Sequence, residues 1–85
     1  MLRYIVKAES EHKVRYPFNI EGSKYDIQRV FLTRIAENAD VYQAISEEGA
    51  MNHAKKIEDW LNTHAEPEDI VKCSVIPVEV IIKNY

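Results

Sequence analysis

The sequence predicts an α+β domain in which one long helix packs on one face of a mostly antiparallel sheet, in the order β-β-β-β-α-β. Apolar and polar residues alternate through much of the 85-residue chain, as they do in half-buried strands. The stretch after Ser46 instead carries apolar residues at helical spacing. The composition, 46% hydrophobic and 29% charged, is typical of an ordered globular protein. We therefore expect one small domain over residues 1–85.

The first two strands are predicted as a hairpin. Residues 2–8 and 14–20 both alternate, and a short polar link joins them. We expect the alternating apolar residues of both strands to face the core together: Tyr4, Val6, Val14, Tyr16 and Phe18. Pro17 has no amide hydrogen, so we expect an edge position or a bulge there.

The segment from Tyr25 to Ala36 is compatible with either a strand or a helix. Ser23 and Asp26 have the spacing of a capping box, which favours a helix. However, the apolar residues of this segment do not gather into one helical stripe, and its β-branched and aromatic content favours a strand. We predict a strand, followed by a hairpin link at residues 37–40 and a further short strand at residues 41–45.

The long helix is predicted to begin after Ser46, a favourable N-cap that is followed by Glu47 and Glu48. At about 100° per residue, four apolar residues fall within one narrow arc. These are Ala50, Ala54, Ile57 and Leu61. We expect this stripe to face the core, with Ile57 among the most buried residues.

Three residues on one flank of the stripe, His53, Trp60 and His64, raise the question of a ligand site. A zinc site on a helix needs two ligands at i and i+4, and positions 57 and 60 hold Ile and Trp instead. We interpret this flank as packing, and we expect no metal and no cofactor. Cys73 alternates with valines and has no local base, so we expect a buried, unreactive thiol.

The C-terminal part predicts a short helical turn at residues 66–69 and then an alternating strand that Pro77 interrupts. The run from Val78 to Lys83 contains no proline and offers the longest uninterrupted backbone row in this part. Such a row can pair across a two-fold axis. The sequence therefore suggests a homodimer through this strand.

Several functional classes are excluded or disfavoured by missing motifs. Two glycines cannot build a phosphate loop or a dinucleotide-binding motif, and no serine lies in a nucleophile-elbow sequence. We predict no catalytic residue and a protein that is not an enzyme. The longest apolar runs have three residues, which excludes a membrane-spanning helix. With no signal peptide visible either, we expect a cytoplasmic protein.

Charge is distributed unevenly. Residues 1–35 hold seven basic and four acidic side chains, and residues 36–85 hold four basic and ten acidic ones, which gives +3 and −6 and the net charge of −3. Such asymmetry points to a binding partner. We expect a non-enzymatic protein-binding module, a small accessory or inhibitory protein of a phage-like mobile element, that acts through an acidic surface. That surface comprises Glu58, Asp59, Trp60, Glu66, Glu68 and Asp69.

An alternative is a nucleic-acid-binding domain. If the hairpin faces are as predicted, the open side of the sheet carries a basic platform formed by Arg3, Lys7, Lys13 and Arg15. The net charge of −3 disfavours this alternative. A small enzyme or a metal-binding protein is the remaining alternative, for which the sequence offers no motif.

Overall fold

Five strands and one long helix form the described part of the chain, residues 1–24, 26–64 and 70–78 of a computed structural model. In chain order they are β1 (Leu2–Glu9), β2 (Val14–Gly22), β3 (Ile27–Thr33), β4 (Tyr42–Ala44), α1 (Glu47–His64) and β5 (Lys72–Pro77). A single 3-10 turn, Ala36–Asn38, lies between β3 and β4. The predicted α+β class, with one helix packed on a mostly antiparallel sheet, is confirmed.

β1 is the centre of the sheet and is antiparallel to each strand that pairs with it. β5 follows one of its edges over six residue pairs, from Tyr4 opposite Pro77 to Glu9 opposite Lys72. The other edge is divided between two strands. β2 pairs with β1 near Ala8, whereas β4 pairs with the beginning of β1, where Leu2 lies opposite Ala44. β3 lies outside β2 and pairs with it.

Asp40 holds the point where β2 separates from β1. Its amide donates to the carbonyl of Pro17 (3.3 Å), and its Oδ2 accepts from the amide of Ile20 (3.2 Å). In a strand, the nitrogen and the carbonyl of one residue face the same side. At Pro17 this is the side on which β2 no longer pairs with β1, so the missing amide hydrogen removes no hydrogen bond from the sheet. The predicted irregularity is confirmed: the β2–β3 register shifts after Phe18, and Asn19 has a φ of 50°.

The predicted hairpin link at residues 37–40 is wrong. β3 pairs with β2 and β4 pairs with β1, so these consecutive strands are not partners. The link must carry the chain from the outer strand across β2 to the central strand, and the 3-10 turn lies on this path. A turn-forming composition indicates a change of direction, but it does not identify the strand that the chain pairs with next.

The predicted strand after Tyr25 is confirmed as β3, although Tyr25 itself lies outside the described residues. Ser23 and Asp26 close a turn rather than open a helix, since the Asp26 amide donates to Ser23 Oγ (3.1 Å). Gly22 enters this turn with a φ of 100°. A Cβ at Gly22 would overlap the carbonyl oxygen of Asp26, so the turn requires glycine.

The core lies between α1 and one face of β1. Ser46 caps the helix as predicted, with its Oγ accepting from the Gly49 amide (3.2 Å). The predicted helical stripe is confirmed, because all four of its residues are buried and Ile57 has no exposed surface. The stripe packs against three alternate residues of β1: Tyr4, Val6 and Ala8.

The predicted facing of β2 is wrong by one residue. Glu9 lies opposite Val14, and Ala8 lies opposite Arg15, across a link of four residues. Directly opposite residues of an antiparallel pair share a face, so Arg15 lies on the helix side with Ala8. Val14, and by alternation Tyr16 and Phe18, face the other side. There the ring centroids of Phe18 and Phe31 lie 5.9 Å apart.

Candidate functional site

The outer edge of β5 is partly capped by two side chains of α1. Asn62 donates from Nδ2 to the carbonyl of Val71 (3.0 Å) and accepts from its amide at Oδ1 (2.8 Å), as a neighbouring strand would. One turn earlier in α1, Glu58 Oε1 accepts from the amide of Cys73 (2.9 Å). Such capping prevents another chain from pairing with these positions.

Glu58 is fixed in this position from both of its oxygens. Lys55 Nζ donates to Oε2 at 2.7 Å, and the side chain is only 15% exposed. The bond from Lys55, followed by the bond from the Cys73 amide, lowers the pKa of the Glu58 carboxyl below its usual value. The carboxylate is therefore charged at neutral pH and serves as an acceptor for the strand edge.

Beyond Cys73 the capping stops and an open groove begins. Strand residues two apart direct their backbone groups to the same edge, so Val75 presents its amide and carbonyl outward as Cys73 does. Among the described residues, none outside the β1–β5 ladder bonds to the Val75 amide. As far as the described residues extend, the edge of β5 is thus open at Val75.

The groove has a volume of 520 Å³ and lies between β5 and the first half of α1. Its apolar walls are formed by Leu2, Met51, Ala54, Val75 and Pro77, and its rim carries Glu47, Lys55 and Glu58. Met51 is 64% exposed in spite of its apolar side chain. An apolar groove beside an open strand edge is suited to an extended peptide segment.

Apart from Glu58, which belongs to the predicted acidic surface, the residues of this groove were not predicted as binding residues from the sequence. Met51 lies outside the buried helical stripe, and an exposed methionine on the flank of a helix is the one signal that the sequence offered. That β5 lies beside this flank depends on the long-range pairing of β5 with β1, which no local pattern encodes.

The predicted acidic surface is only partly assembled by the described residues. Glu58 turns inward to Cys73 and Lys55, as described above. Asp59 is exposed, and its Oδ1 lies 3.2 Å from Lys55 Nζ. Trp60 is half-buried against the core. The other three predicted members, Glu66, Glu68 and Asp69, lie outside the described residues, as does the predicted turn that contains them.

The predicted basic platform is not formed. Arg15 is on the helix side of the sheet, opposite Ala8, whereas Arg3 and Lys7 alternate onto the other side. Lys7 is paired with Glu9 at 3.0 Å, and Lys13 lies in the link between the first two strands. Alternation within β1 and within β2 does not determine which of their residues lie opposite each other, so the predicted common face of the two strands is wrong.

His53 is part of a buried aromatic cluster between α1 and the sheet. Its Nδ1 lies 2.8 Å from the hydroxyl of Tyr4, and its ring meets that of Tyr42 edge-on with centroids 4.7 Å apart. Tyr42 in turn donates to Asp40 Oδ2 at 3.5 Å. Burial first, and then the charge of Asp40, raises the pKa of Tyr42, and burial also raises the pKa of Tyr4. Both phenols are therefore neutral hydrogen-bond donors.

Burial, together with the nearby charges of Lys24 and Lys56, lowers the pKa of His53 below its ordinary value. The imidazole is therefore neutral at neutral pH. A phenol is the stronger acid and an imidazole nitrogen the better acceptor, so the Tyr4 hydroxyl donates to Nδ1 and the ring proton lies on Nε2.

The other members of the predicted flank, Trp60 and His64, stack on each other with centroids 4.1 Å apart. His64 Nδ1 also lies 2.8 Å from the Trp60 carbonyl. The stacking and the hydrogen bond both lie within the end of α1 and have a structural role. Among the described residues, no three His, Cys, Asp or Glu side chains are placed to hold a metal ion.

Cys73 points toward the core with Val71 and Val75, as predicted. Burial first, and then the charge of Glu58, raises the pKa of its thiol to about 12. A thiol with such a pKa carries almost no thiolate at neutral pH, so it is poorly suited to act as a nucleophile.

Within the described ranges, no helix combines the length and the apolar character that a membrane span requires. Of the run predicted to form a dimer, from Val78 to Lys83, only Val78 lies in those ranges, and β5 ends at Pro77. No protein family, curated protein or solved structure was found to match the chain.

Proposed function

We propose that this protein is a non-enzymatic protein-binding module that takes up an extended segment of a partner protein along the outer edge of β5. One observation carries the proposal. Asn62 and Glu58 cap the edge at Val71 and Cys73. At Val75 no described residue caps the edge, and an apolar groove lies there instead.

The partner segment adds as a short strand beside β5. Its backbone pairs with the amide and carbonyl of Val75, and an apolar side chain fills the groove against Met51 and Ala54. Burial of the exposed surface of Met51 contributes to affinity, at roughly 25 cal/mol per Å² of apolar area removed from water.

Charge at the rim favours a basic residue in the partner. Lys55 and Glu58 neutralise each other, whereas Glu47 is exposed and forms no ion pair with a described residue. A lysine or arginine of the partner segment that reaches Glu47 adds electrostatic selectivity. The acidic part of the binding surface is thus Glu47, at the rim of the groove. A role as a small accessory or inhibitory protein remains a prediction from size and charge.

The experiment is a selection of peptides from a random displayed library with the purified protein, followed by affinity measurements on two variants. Met51→Lys places a charge in the groove. Ile45→Lys is the matched control, because Ile45 is an exposed apolar residue just before α1 and faces away from the groove. We expect selected apolar, basic peptides to lose at least tenfold affinity for Met51→Lys and to bind Ile45→Lys normally. Equal affinities for the two variants would contradict the proposal.

A Val75→Pro variant tests strand addition itself. Pro77 occupies the next outward-facing position of β5, so a proline is compatible with the pairing of this strand to β1. We expect Val75→Pro to fold and to lose peptide binding, since the outward amide is removed. Self-association of the wild type that Met51→Lys abolishes, measured by analytical ultracentrifugation, would instead identify a second copy of this chain as the occupant.

A further inference from the structure

A second cavity lies on the flank of α1 that faces away from the groove, and its lining is cationic. It has a volume of 450 Å³ and lies between α1, the segment that leads from β4 into this helix, and the turn after β2. Its polar lining comprises Lys24, Gln43, Ser46, Asn52, His53 and Lys56, and none of the described residues that line it is a carboxylate. This is an unusual lining in a chain with a net charge of −3.

The two lysines reach the cavity from separate elements. Lys24 belongs to the turn between β2 and β3, and its Nζ donates to the carbonyl of Gln43 in β4 (3.2 Å). Lys56 belongs to α1 and lies nearly three turns after Ser46 and about one turn after His53. Two lysines from different elements thus line one cavity and contribute positive charge to it.

His53 supplies a further donor from a buried position. It is 6% exposed, and its Nδ1 is occupied by Tyr4. Among the described residues, every fully buried side-chain nitrogen and oxygen has a hydrogen-bond partner. Nε2 forms no hydrogen bond with a described residue, so it is not fully buried. His53 is one of the residues that line the cationic cavity.

We infer that this cavity binds the phosphate group of a small ligand, held by Lys24, Lys56 and the Nε2–H of His53. The arrangement offers two point charges and a buried neutral donor, which together suit a multiply charged oxyanion. The adjoining cavity of 390 Å³ shares both lysines, but its lining includes Asp26 and Asp59. We therefore place the phosphate on the side where none of the described lining residues is a carboxylate. The site is independent of the groove, since the two occupy opposite flanks of α1.

Phosphate binding is coupled to protonation of His53. The groups that face its ring are Tyr4 from β1, Tyr42 with Asp40 from the start of β4, Lys24 from the turn and Lys56 from α1. In the free protein, the two lysines oppose a charge on the imidazole. A bound phosphate anion reverses that effect, so phosphate raises the pKa of His53.

The test is an NMR titration of the three histidine rings with pH, in millimolar inorganic phosphate and in chloride of equal ionic strength. We expect phosphate to raise the pKa of His53 by about 1 unit and to leave His12 and His64 unchanged, because neither lines this cavity. An unchanged His53, or equal shifts of all three histidines, would overturn the inference.

Variants separate this site from general charge attraction. The double variant Lys24→Gln/Lys56→Gln should lose the phosphate effect on His53. The matched control Lys7→Gln/Lys72→Gln removes the same charge from the other side of the sheet and should keep it. Equal behaviour of the two double variants would refute the site. A second arm with adenosine 5′-monophosphate identifies the source: tighter binding than inorganic phosphate indicates a nucleotide, and equal binding indicates free phosphate.

Discussion

Replacing Tyr4 by Phe removes one oxygen atom from the centre of the core and leaves His53 Nδ1 without its partner. Tyr4 is completely buried, His53 is 6% exposed, and the bond between them is 2.8 Å long. Water cannot replace the hydroxyl without entering the core. The cost of an unsatisfied buried acceptor is about 1–3 kcal/mol. The total stability expected for a domain of this size is only about 4–13 kcal/mol.

The assay is urea unfolding followed by circular dichroism. With a slope of about 1 kcal/mol per molar urea, Tyr4→Phe should lower the midpoint by about 1–3 M. Tyr16→Phe is the matched control, since Tyr16 is only half-buried and its hydroxyl forms no hydrogen bond with a described residue. We expect that change to cost less than about 0.5 kcal/mol. Equal midpoints for the two variants would refute the role of the Tyr4–His53 bond.

The same cluster predicts how stability depends on pH. Burial and the two lysines lower the pKa of folded His53 below 6.5, the ordinary value that applies after unfolding. The unfolded chain therefore binds the proton more readily, and the free energy of unfolding falls as the pH falls below about 6.5. The fall ends once the pH is below the pKa of folded His53. The variant His53→Gln should lack this decline, and an unchanged pH profile in the variant would contradict the assignment.

Three further predictions concern the helix and β5. Ile57→Ala should cost about 2–5 kcal/mol, and Lys56→Ala on the exposed face less than about 0.5 kcal/mol, measured by urea unfolding; equal midpoints would overturn the packing of α1. Glu58→Ala should cost about 1–3 kcal/mol because the Cys73 amide loses its acceptor, whereas Asp59→Ala should cost less than about 0.5 kcal/mol. Iodoacetamide should label Cys73 at pH 8 much faster in urea than in the folded protein; similar rates would contradict its raised pKa.

Local features of the fold could be predicted because they depend on neighbouring residues. Ser46 followed by two glutamates marks the start of α1, and the spacing of Ala50, Ala54 and Ile57 identifies its buried side. The strand character of β3 follows from its β-branched and aromatic residues. These patterns need no knowledge of distant parts of the chain.

The candidate sites could not be predicted because they depend on distant pairings. In sequence, Glu58 is a helix residue at ion-pair spacing from Lys55, and only the approach of β5 gives its second oxygen an amide to accept from. Likewise, His53 becomes a buried neutral donor only when β1 places the Tyr4 hydroxyl beside it. The facing of Arg15 required the pairing of β2 with β1, which alternation alone does not determine.

The central position of β1 has a consequence for the order in which the protein folds during synthesis. β1 is made first, but its longest ladder is with β5, the last described strand to leave the ribosome. Contacts between such distant residues form slowly because a long loop must close first. Until then, one edge of β1 is open, and the nascent chain depends on β2 and β4 to hold the strand in place. Completion of the sheet is therefore a late event that closes the fold across nearly its whole described length.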